Sequence, residues 1–268
     1  MGTQPMLPSP KVDALRPVGS RLPLAYARAT GANFVTPGAL AAVRARSTVK
    51  EPHQSIDVQR LWADLLWAPA AAFNLFGDLA ADPALADRAV HTWWPDAPGR
   101  VGAIRFTHSP GRLDQAYLGN LVSFDAAVEL DTDDAARAIV GVQVKYHDRR
   151  KRERPKPERL LRYVEVMDRS GAFAPGALDA VNGTDLLELW LAHLLVLSMV
   201  QHPSGTWRWG RFVLVHAAAN TDYVEALAHY RSLLVDPSTF TSVTVEDLLD
   251  AGALPAASAA ALRRRYLP

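Results

Sequence analysis

The apolar positions in the first part of the chain recur with the period of an α-helix. Thr36 and Pro37 have the residue types preferred at a helix N-cap and at the first helical position, so they predict a short helix over 38–46. Gly77 is expected to end a later helix. Apolar residues recur at helical spacing in three further segments, at 55–66, 70–79 and 83–93.

After residue 98 the pattern changes to that of β-strands. The residues rich in β-formers predict strands at 101–107, 120–130, 139–147 and 211–216. A polar turn over 131–134 predicts that the second and third strands form an antiparallel hairpin. A charged loop is expected over 149–157. Helices are predicted at 158–167, 185–201, 221–235, 245–249 and 256–266.

This order of elements indicates an α/β or α+β sheet covered by helices. Residues 1–24 contain five prolines and little periodicity, which predicts an extended N-terminal arm. We therefore expect the arm over 1–24 to be followed by one domain over 25–268.

The predicted hairpin carries polar residues at alternate positions. Side chains alternate between the two faces of a strand, so Asp125 and Glu129 share one face, and Gln143 and Lys145 share a face of the next strand. Pairing of the two strands would gather these four side chains on one patch. The apolar residues between them are expected to face the core instead. Those residues are Phe124, Val128, Val142 and Val144.

These residue types suit phosphodiester hydrolysis. That reaction needs a divalent cation to polarise the phosphate and to lower the pKa of the attacking water. Magnesium prefers carboxylate and carbonyl oxygens and retains several waters, so one or two carboxylates suffice. A neighbouring lysine can orient the water and offset charge on the phosphate. The plain alternative is an exposed cross-strand salt bridge between Asp125 and Lys145.

Asp125 together with Gln143-Val144-Lys145 resembles the core of the PD-(D/E)xK nuclease superfamily, in its variant with Gln in place of the second acid. Residues 73–77 resemble a segment that precedes the hairpin in bacterial members, and 189–195 and 210–214 resemble segments that follow it. The resemblance covers roughly residues 50–250. It implies a restriction-endonuclease-like α/β fold, a mixed sheet flanked by helices.

The resemblance also implies roles for the site residues. Asp125 corresponds to a metal ligand, Gln143 to a neutral oxygen ligand and Lys145 to the catalytic lysine, with Mg²⁺ or Mn²⁺ as the cofactor. Because Gln143 supplies no negative charge, another carboxylate is expected to help hold the metal. Glu129 is one candidate, and the others are Glu51, Asp57 and Asp64 in the preceding helical region.

Two functional hypotheses follow from the resemblance. The first is a metal-dependent DNA endonuclease. The second is a catalytically weak or inactive module of the same fold that binds DNA or a partner protein. Homodimerisation is left open in both.

A basic segment follows Lys145 directly. Residues 148–162 hold eight basic and three acidic side chains. Such a run is often only a solvated loop, but beside a phosphodiester site it would gather DNA phosphates. The candidate DNA-binding residues are Arg149, Arg150, Lys151, Arg152 and Arg154.

The composition of the chain excludes several kinds of site and partner. The formal net charge is only +1, so any signal for a polyanionic partner is local. The chain has no cysteine, which excludes disulfides, thiolate zinc sites and cysteine nucleophiles. The first residues do not resemble a signal peptide, and the apolar stretch 186–200 contains Glu188 and His193 and is too short to span a bilayer. We therefore expect a cytoplasmic protein without a membrane partner.

Overall fold

The computed structural model of the protein describes residues 20–54, 56–133 and 135–267. Most of the predicted N-terminal arm, residues 1–19, lies outside the described residues. From Ser20 onward the chain is held to the domain, because Leu22 N–H donates to the Ala63 carbonyl and Leu65 N–H donates to the Ser20 carbonyl, both at 2.8 Å. Leu24–Thr30 then forms helix α1, which the sequence pattern did not predict.

Four more described helices, α2 to α5, lie between α1 and the sheet, and side-chain caps begin three of them. Thr36 caps α2 as predicted, because its hydroxyl accepts a hydrogen bond from Ala39 N–H at 3.1 Å. The third helix is shorter than predicted because Asp57 caps its start and Asp64 leaves the helix in an extended conformation, bridging to Arg21. The bounds are α2 Pro37–Thr48, α3 Val58–Ala63, α4 Ala68–Ala81 and α5 Pro83–Trp93.

The prediction that Gly77 ends its helix is wrong, because α4 continues to Ala81. The glycine serves packing instead. A Cβ atom at residue 77 would overlap the backbone of Ala39, so its absence lets α2 and α4 approach closely.

The described part of the chain forms a five-stranded mixed sheet in the order β1-β2-β3-β4-β5. The predicted hairpin between β2 and β3 is confirmed: the two strands pair antiparallel, with Ala126 opposite Val142. β1 also pairs antiparallel with β2, whereas β4 and β5 pair parallel to their neighbours. The short edge strand β5 was not predicted. The bounds are β1 Arg100–His108, β2 Phe124–Asp131, β3 Arg137–Lys145, β4 Trp207–His216 and β5 Phe240–Thr244.

Six α-helices in the described residues follow the hairpin, and with the earlier ones they cover both faces of the sheet. The expected α/β fold, a mixed sheet flanked by helices, is confirmed. None of the helices in the described ranges is long and apolar enough to cross a membrane. The bounds are α6 Pro157–Ser170, α7 Ala177–Val181, α8 Leu187–Val200, α9 Thr221–Ser232, α10 Val245–Asp250 and α11 Ala256–Tyr266.

The sheet separates two apolar cores. On one face, Val128, Val142 and Val144 pack with residues of α2, α4 and α5. On the other face, Ala127 and Ile139 pack with residues of α6, α8 and α9. The expectation of one core face and one polar patch along the hairpin is therefore wrong. A strand buried on both faces is apolar at successive positions, and polar side chains collect where the strand ends.

Phe124 lies on the opposite face from the one predicted. It was expected beside Val128, but it belongs to the core under α6 and α8 together with Ala127. Gly141 explains this placement, because a Cβ atom there would overlap the Phe124 ring. The missing side chain on β3 thus opens the space that the ring fills.

We expect Gly141→Ala to lower the free energy of unfolding by about 1–3 kcal/mol, because the added methyl group overpacks the core against Phe124. Urea denaturation measures the loss. Combining Gly141→Ala with Phe124→Leu should cost less than the sum of the two single changes, since the smaller side chain relieves the overlap. Additive losses would show that the two residues do not compete for the same space.

Candidate functional site

Lys145 is the last residue of β3, and its side chain is nearly fully buried. Its ammonium group donates to the Glu188 carboxylate, which reaches it from the first turn of α8. Burial alone would lower the pKa of Lys145, but Glu188, with smaller help from Tyr223 and Asp125, raises the pKa above its ordinary value. The lysine is therefore fully protonated at neutral pH.

Asp125 lies across the hairpin from this end of β3. It immediately precedes Ala126, the first β2 residue in the ladder with β3, and one carboxylate oxygen accepts a hydrogen bond from Val144 N–H at 2.8 Å. Burial raises the pKa of Asp125 to about 6, while the charge of Lys145 and this hydrogen bond act to lower it. The Lys145 ammonium pairs with Glu188 rather than with Asp125, so the plain cross-strand salt bridge does not form.

Gln143 has an oxygen atom without a partner. The side chain is 6% exposed, and its amide nitrogen makes only a long contact of 3.5 Å with the Ser123 carbonyl. The Oε1 atom is buried and accepts no hydrogen bond. Leaving such an acceptor unsatisfied costs about 1–3 kcal/mol, so its presence calls for a ligand. Gln143, Lys145 and Glu188 line one small cavity of about 10 Å³.

A second, larger cavity of about 370 Å³ opens beside the first. Lys145 and Glu188 line it together with Asp148, Arg149 and Lys151, among other residues. One carboxylate oxygen of Asp148 is buried without a partner, and burial raises its pKa. The site therefore has an enclosed part at Gln143 and a polar mouth at the start of the basic loop.

Asn220 fixes the backbone at this mouth. It precedes α9, and its side-chain amide donates to the carbonyls of Lys145 at 3.4 Å and of Asp148 at 3.2 Å. The turn after β3 is thereby tied to the chain that leaves β4.

A family model described as the PD-(D/E)XK nuclease superfamily matches residues 2–268. The chain belongs to the PD-(D/E)XK nuclease superfamily. Neither a curated protein nor a solved structure matches it. The resemblance inferred from Asp125, Gln143 and Lys145 is thus confirmed at the level of the superfamily, whose members are generally nucleases.

Glu129, the accessory ligand predicted for this superfamily member, does not join the other three residues. It lies four residues along β2 from Asp125, about 13 Å at the rise of a strand. Its buried carboxylate is held by Arg105 at 2.5 Å and by Arg137 at 2.6 Å. Strand alternation alone suggested convergence, but the two arginines engage Glu129 at the far end of the hairpin.

The three upstream acids that could complete a superfamily site are also engaged elsewhere. Glu51 accepts hydrogen bonds from His108 and Arg112. Asp57 caps α3, and Asp64 accepts from the Arg60 side chain at 3.0 Å.

Two acidic residues that lie nearer to Lys145 were not predicted from the sequence. Glu188 and Asp148 both lie beside the lysine, one on α8 and one after β3. Glu188 carried a usable signal, because it is an acid in the first turn of an otherwise apolar helix. Asp148 carried none, since it opens a run of charged residues.

The donors in the site suit a cation that needs few carboxylates. Across the described residues, no group of three or more His, Asp or Glu side chains is arranged to hold a metal ion. The Asp125 carboxylate and the unpartnered Gln143 oxygen nevertheless offer the oxygen chemistry that Mg²⁺ prefers, and Mg²⁺ retains waters for its other positions. The donor types of these two residues suit such an ion, but Asp125 borders a separate cavity with Leu121 and Ser123 and not the small cavity that Gln143 lines.

The structure divides the predicted basic residues into two groups. Arg150 pairs with Asp185 at 2.6 Å and is mostly buried. The remaining four side chains are exposed on the loop that leads from β3 to α6; they are Arg149, Lys151, Arg152 and Arg154.

The Glu51 cluster makes stability depend on pH. Burial would raise the pKa of Glu51, but hydrogen bonds from His108 and Arg112 lower it to about 2. A carboxyl group with a depressed pKa stabilises the fold above its unfolded pKa near 4.5, and that contribution is lost as pH falls toward 2. Glu51→Gln should cost about 2–3 kcal/mol at pH 7 and much less at pH 3. Urea unfolding at both pH values measures this.

The control for this prediction is Glu225→Gln, which changes an exposed glutamate on α9. It should leave the free energy of unfolding within about 0.5 kcal/mol at either pH. An equal loss for Glu51→Gln at pH 7 and pH 3 would contradict the role assigned to the ionised carboxylate.

Proposed function

We propose that the protein is a divalent-metal-dependent DNA endonuclease that hydrolyses phosphodiester bonds. The observation that carries this proposal is the unpartnered Gln143 oxygen, buried near the end of β3 in a cavity that Lys145 also lines. In a member of the PD-(D/E)XK nuclease superfamily, an unsatisfied oxygen at this position supports a metal-binding role.

Asp125 and Gln143 would hold the metal ion, Mg²⁺ or Mn²⁺. When bound, such an ion polarises the phosphate and lowers the pKa of a water molecule. Val144 N–H keeps the Asp125 carboxylate in a fixed orientation through its 2.8 Å hydrogen bond. With a pKa of about 6, that carboxylate is mostly ionised at pH 7.5 and can act as a charged ligand.

Lys145 would act on the substrate directly. Its ammonium group is protonated and buried, so its charge is poorly screened by water. A fixed cation of this kind stabilises negative charge that develops on the phosphate oxygens. The lysine can also orient a water molecule by hydrogen bonding.

The exposed basic side chains would bind the DNA backbone. Arg149 and Lys151 line the polar cavity next to Lys145, so phosphates bound there lie beside the proposed site. Arg150 has a different role, because its ion pair with Asp185 holds the loop against the start of α8. DNA is the proposed partner, and the cytoplasm is the proposed location.

A second candidate function is a catalytically weak module that binds DNA. One observation favours it: Gln143 supplies no negative charge, while the ammonium of Lys145 is already paired with Glu188. The two candidate functions differ in whether the protein cuts DNA when a divalent metal ion is present.

Purified protein should nick or cut plasmid DNA in the presence of Mg²⁺ or Mn²⁺ and not in the presence of EDTA. Lys145→Ala should reduce the cleavage rate at least about 100-fold, because a preorganised charge at the phosphate is lost. Lys156→Ala, on an exposed lysine of the same loop, is the matched control and should change the rate less than about threefold. Gel electrophoresis of the plasmid measures each rate.

The variant Gln143→Glu tests whether the negative charge that Gln143 lacks limits the rate of cleavage. The variant should cut faster than the wild type, because it adds a carboxylate to the metal site. Binding of duplex DNA by a wild type that cuts no substrate with either metal would instead support the binding module.

The salt dependence of DNA affinity tests the exposed loop. Replacing Arg149 and Lys151 together by alanine should lower the slope of log affinity against log salt concentration by about two, since each phosphate contact contributes about 0.9. Fluorescence anisotropy with a short duplex measures the slope. Arg150→Ala, the control, should lower the melting temperature and leave the slope unchanged. A slope that falls only in the Arg150 variant would contradict this division of roles.

A further inference from the structure

We propose that residues 1–19, which precede the described domain, dock in an apolar groove on its surface, between α2, α4 and the edge strand β1. This docking goes beyond the proposed function, because it requires neither a metal ion nor DNA.

The groove consists of two adjoining cavities along one side of the domain. The first, of about 500 Å³, lies between alanines of α2, the end of α4 and Ile104 of β1. The second, of about 240 Å³, is lined by Val58 and Leu61 of α3, among other residues. Arg46 and Val49 line both cavities, which therefore adjoin and are together called the outer groove.

The outer groove offers apolar surface and little free charge. Ten of the thirteen residues that line the first cavity are glycine or apolar. Its three charged side chains are already paired, because Arg46 lies 3.5 Å from Glu51 and Arg105 donates to Glu129 at 2.5 Å. Among its described lining residues the second cavity adds a single exposed cation, Lys50. A nucleic-acid backbone needs several unpaired cations, so an apolar segment of protein fits this surface better.

Two large apolar side chains of the outer groove are left in solvent by the described part of the chain. Val49 is 60% exposed and Val58 is 41% exposed. Single exposed apolar residues are ordinary, but these two line the same cavity. A segment that covers the cavity would remove both from water, which is favourable.

Side chains, rather than a further strand, suit the space beside β1. This strand is an edge of the sheet, but Arg46 already donates to the Phe106 carbonyl at 2.7 Å and contacts the Thr107 carbonyl at 3.5 Å. Residues 1–19 include four prolines, which have no N–H to donate and lower the entropy lost on docking. The larger apolar side chains of this segment are Met6, Leu7, Val12, Leu15 and Val18.

The point at which the segment joins the domain lies beside the outer groove. The Ser20 carbonyl accepts from Leu65 N–H and Leu22 N–H donates to the Ala63 carbonyl, so the chain runs along the end of α3. Leu61, two residues before Ala63, lines the second cavity. The segment therefore starts next to the surface that it is proposed to cover.

The segment is also long enough to follow the outer groove. Nineteen residues can span about 60 Å when extended. The helix α2, along which the first cavity lies, is only about 18 Å long. Because the segment is tethered, its local concentration is high, and modest apolar contacts suffice to hold it. The match to the superfamily model starts at residue 2 and so includes the segment, as expected for a part of the domain.

Tryptic cleavage after Lys11 measures docking in the whole chain. This bond is a trypsin site, whereas the bond after Arg16 precedes a proline and resists the enzyme. The wild type is compared with Val49→Asp, which places a charge in the outer groove. The matched control is Val235→Asp, because Val235 is 61% exposed and lines neither cavity. Melting temperatures establish that each variant is folded.

Val49→Asp should speed cleavage after Lys11 at least about 10-fold, because trypsin cuts the segment only when it is undocked. Val235→Asp should change the rate less than about twofold. Equal rates in all three proteins would overturn the inference. Faster cleavage in the Val235 variant alone would also overturn it, because the segment would then lie elsewhere.

Disulfide formation locates the docked segment. The chain has no cysteine, so Leu7→Cys or Leu15→Cys combined with Ala45→Cys introduces a single pair of thiols. Ala45 lines the first cavity. The control pairs combine the same segment variants with Glu225→Cys, at an exposed position of α9. Non-reducing gel electrophoresis and mass spectrometry measure the rate and the position of each disulfide.

At least one groove pair should form an intramolecular disulfide about 10-fold faster than its control pair, because docking raises the local concentration of the thiols. Equal rates for groove and control pairs would overturn the inference. A disulfide that joins two chains would show that a second copy fills the groove, and would overturn docking within one chain.

Discussion

Burial of the sheet on both faces determines where polar chemistry can be placed in this protein. Helices pack on each side of β3, whose residues from Ala138 to Lys145 are all buried. A polar side chain within the strand needs a partner or a ligand, because burial without one is costly. Gln143 and Lys145 lie at the carboxyl end of the strand, where helices no longer cover it completely. The site is thus located by the packing of the domain as much as by its motif.

The pair of Lys145 with Glu188 follows from the same constraint. A buried ammonium group without a counter-charge would lose several kcal/mol of solvation, and α8 brings the carboxylate that offsets this loss. The carboxylate of Asp125 is left beside the pair rather than engaged in it. Ion pairing, the unfilled Gln143 oxygen and the basic loop therefore belong to one electrostatic arrangement, in which a divalent cation and a phosphate would complete the set of partners.

The local parts of this arrangement could be predicted from the sequence. The hairpin and the capped helix after Thr36 both depend on short-range patterns. The pairing of Glu188 with the lysine could not be predicted, although its place in an apolar helix marked it, because Glu188 reaches Lys145 only through the packing of α8. The face of Phe124 was also missed, since it depends on space above a glycine of the next strand. The alternation of apolar and polar residues along one strand does not show which residue of the neighbouring strand is small enough to leave space for a ring.

The hydrogen bonds of Asn220 have a consequence for the order of folding. The β2–β3 hairpin is local in sequence and can form early, whereas the parallel pairing of β3 with β4 requires the long crossover 146–206 to close. Asn220 lies after that crossover and holds the backbone carbonyls of Lys145 and Asp148. A nascent chain that has formed only the hairpin therefore carries the motif residues without an assembled site, which is completed by the slowest contacts of the domain.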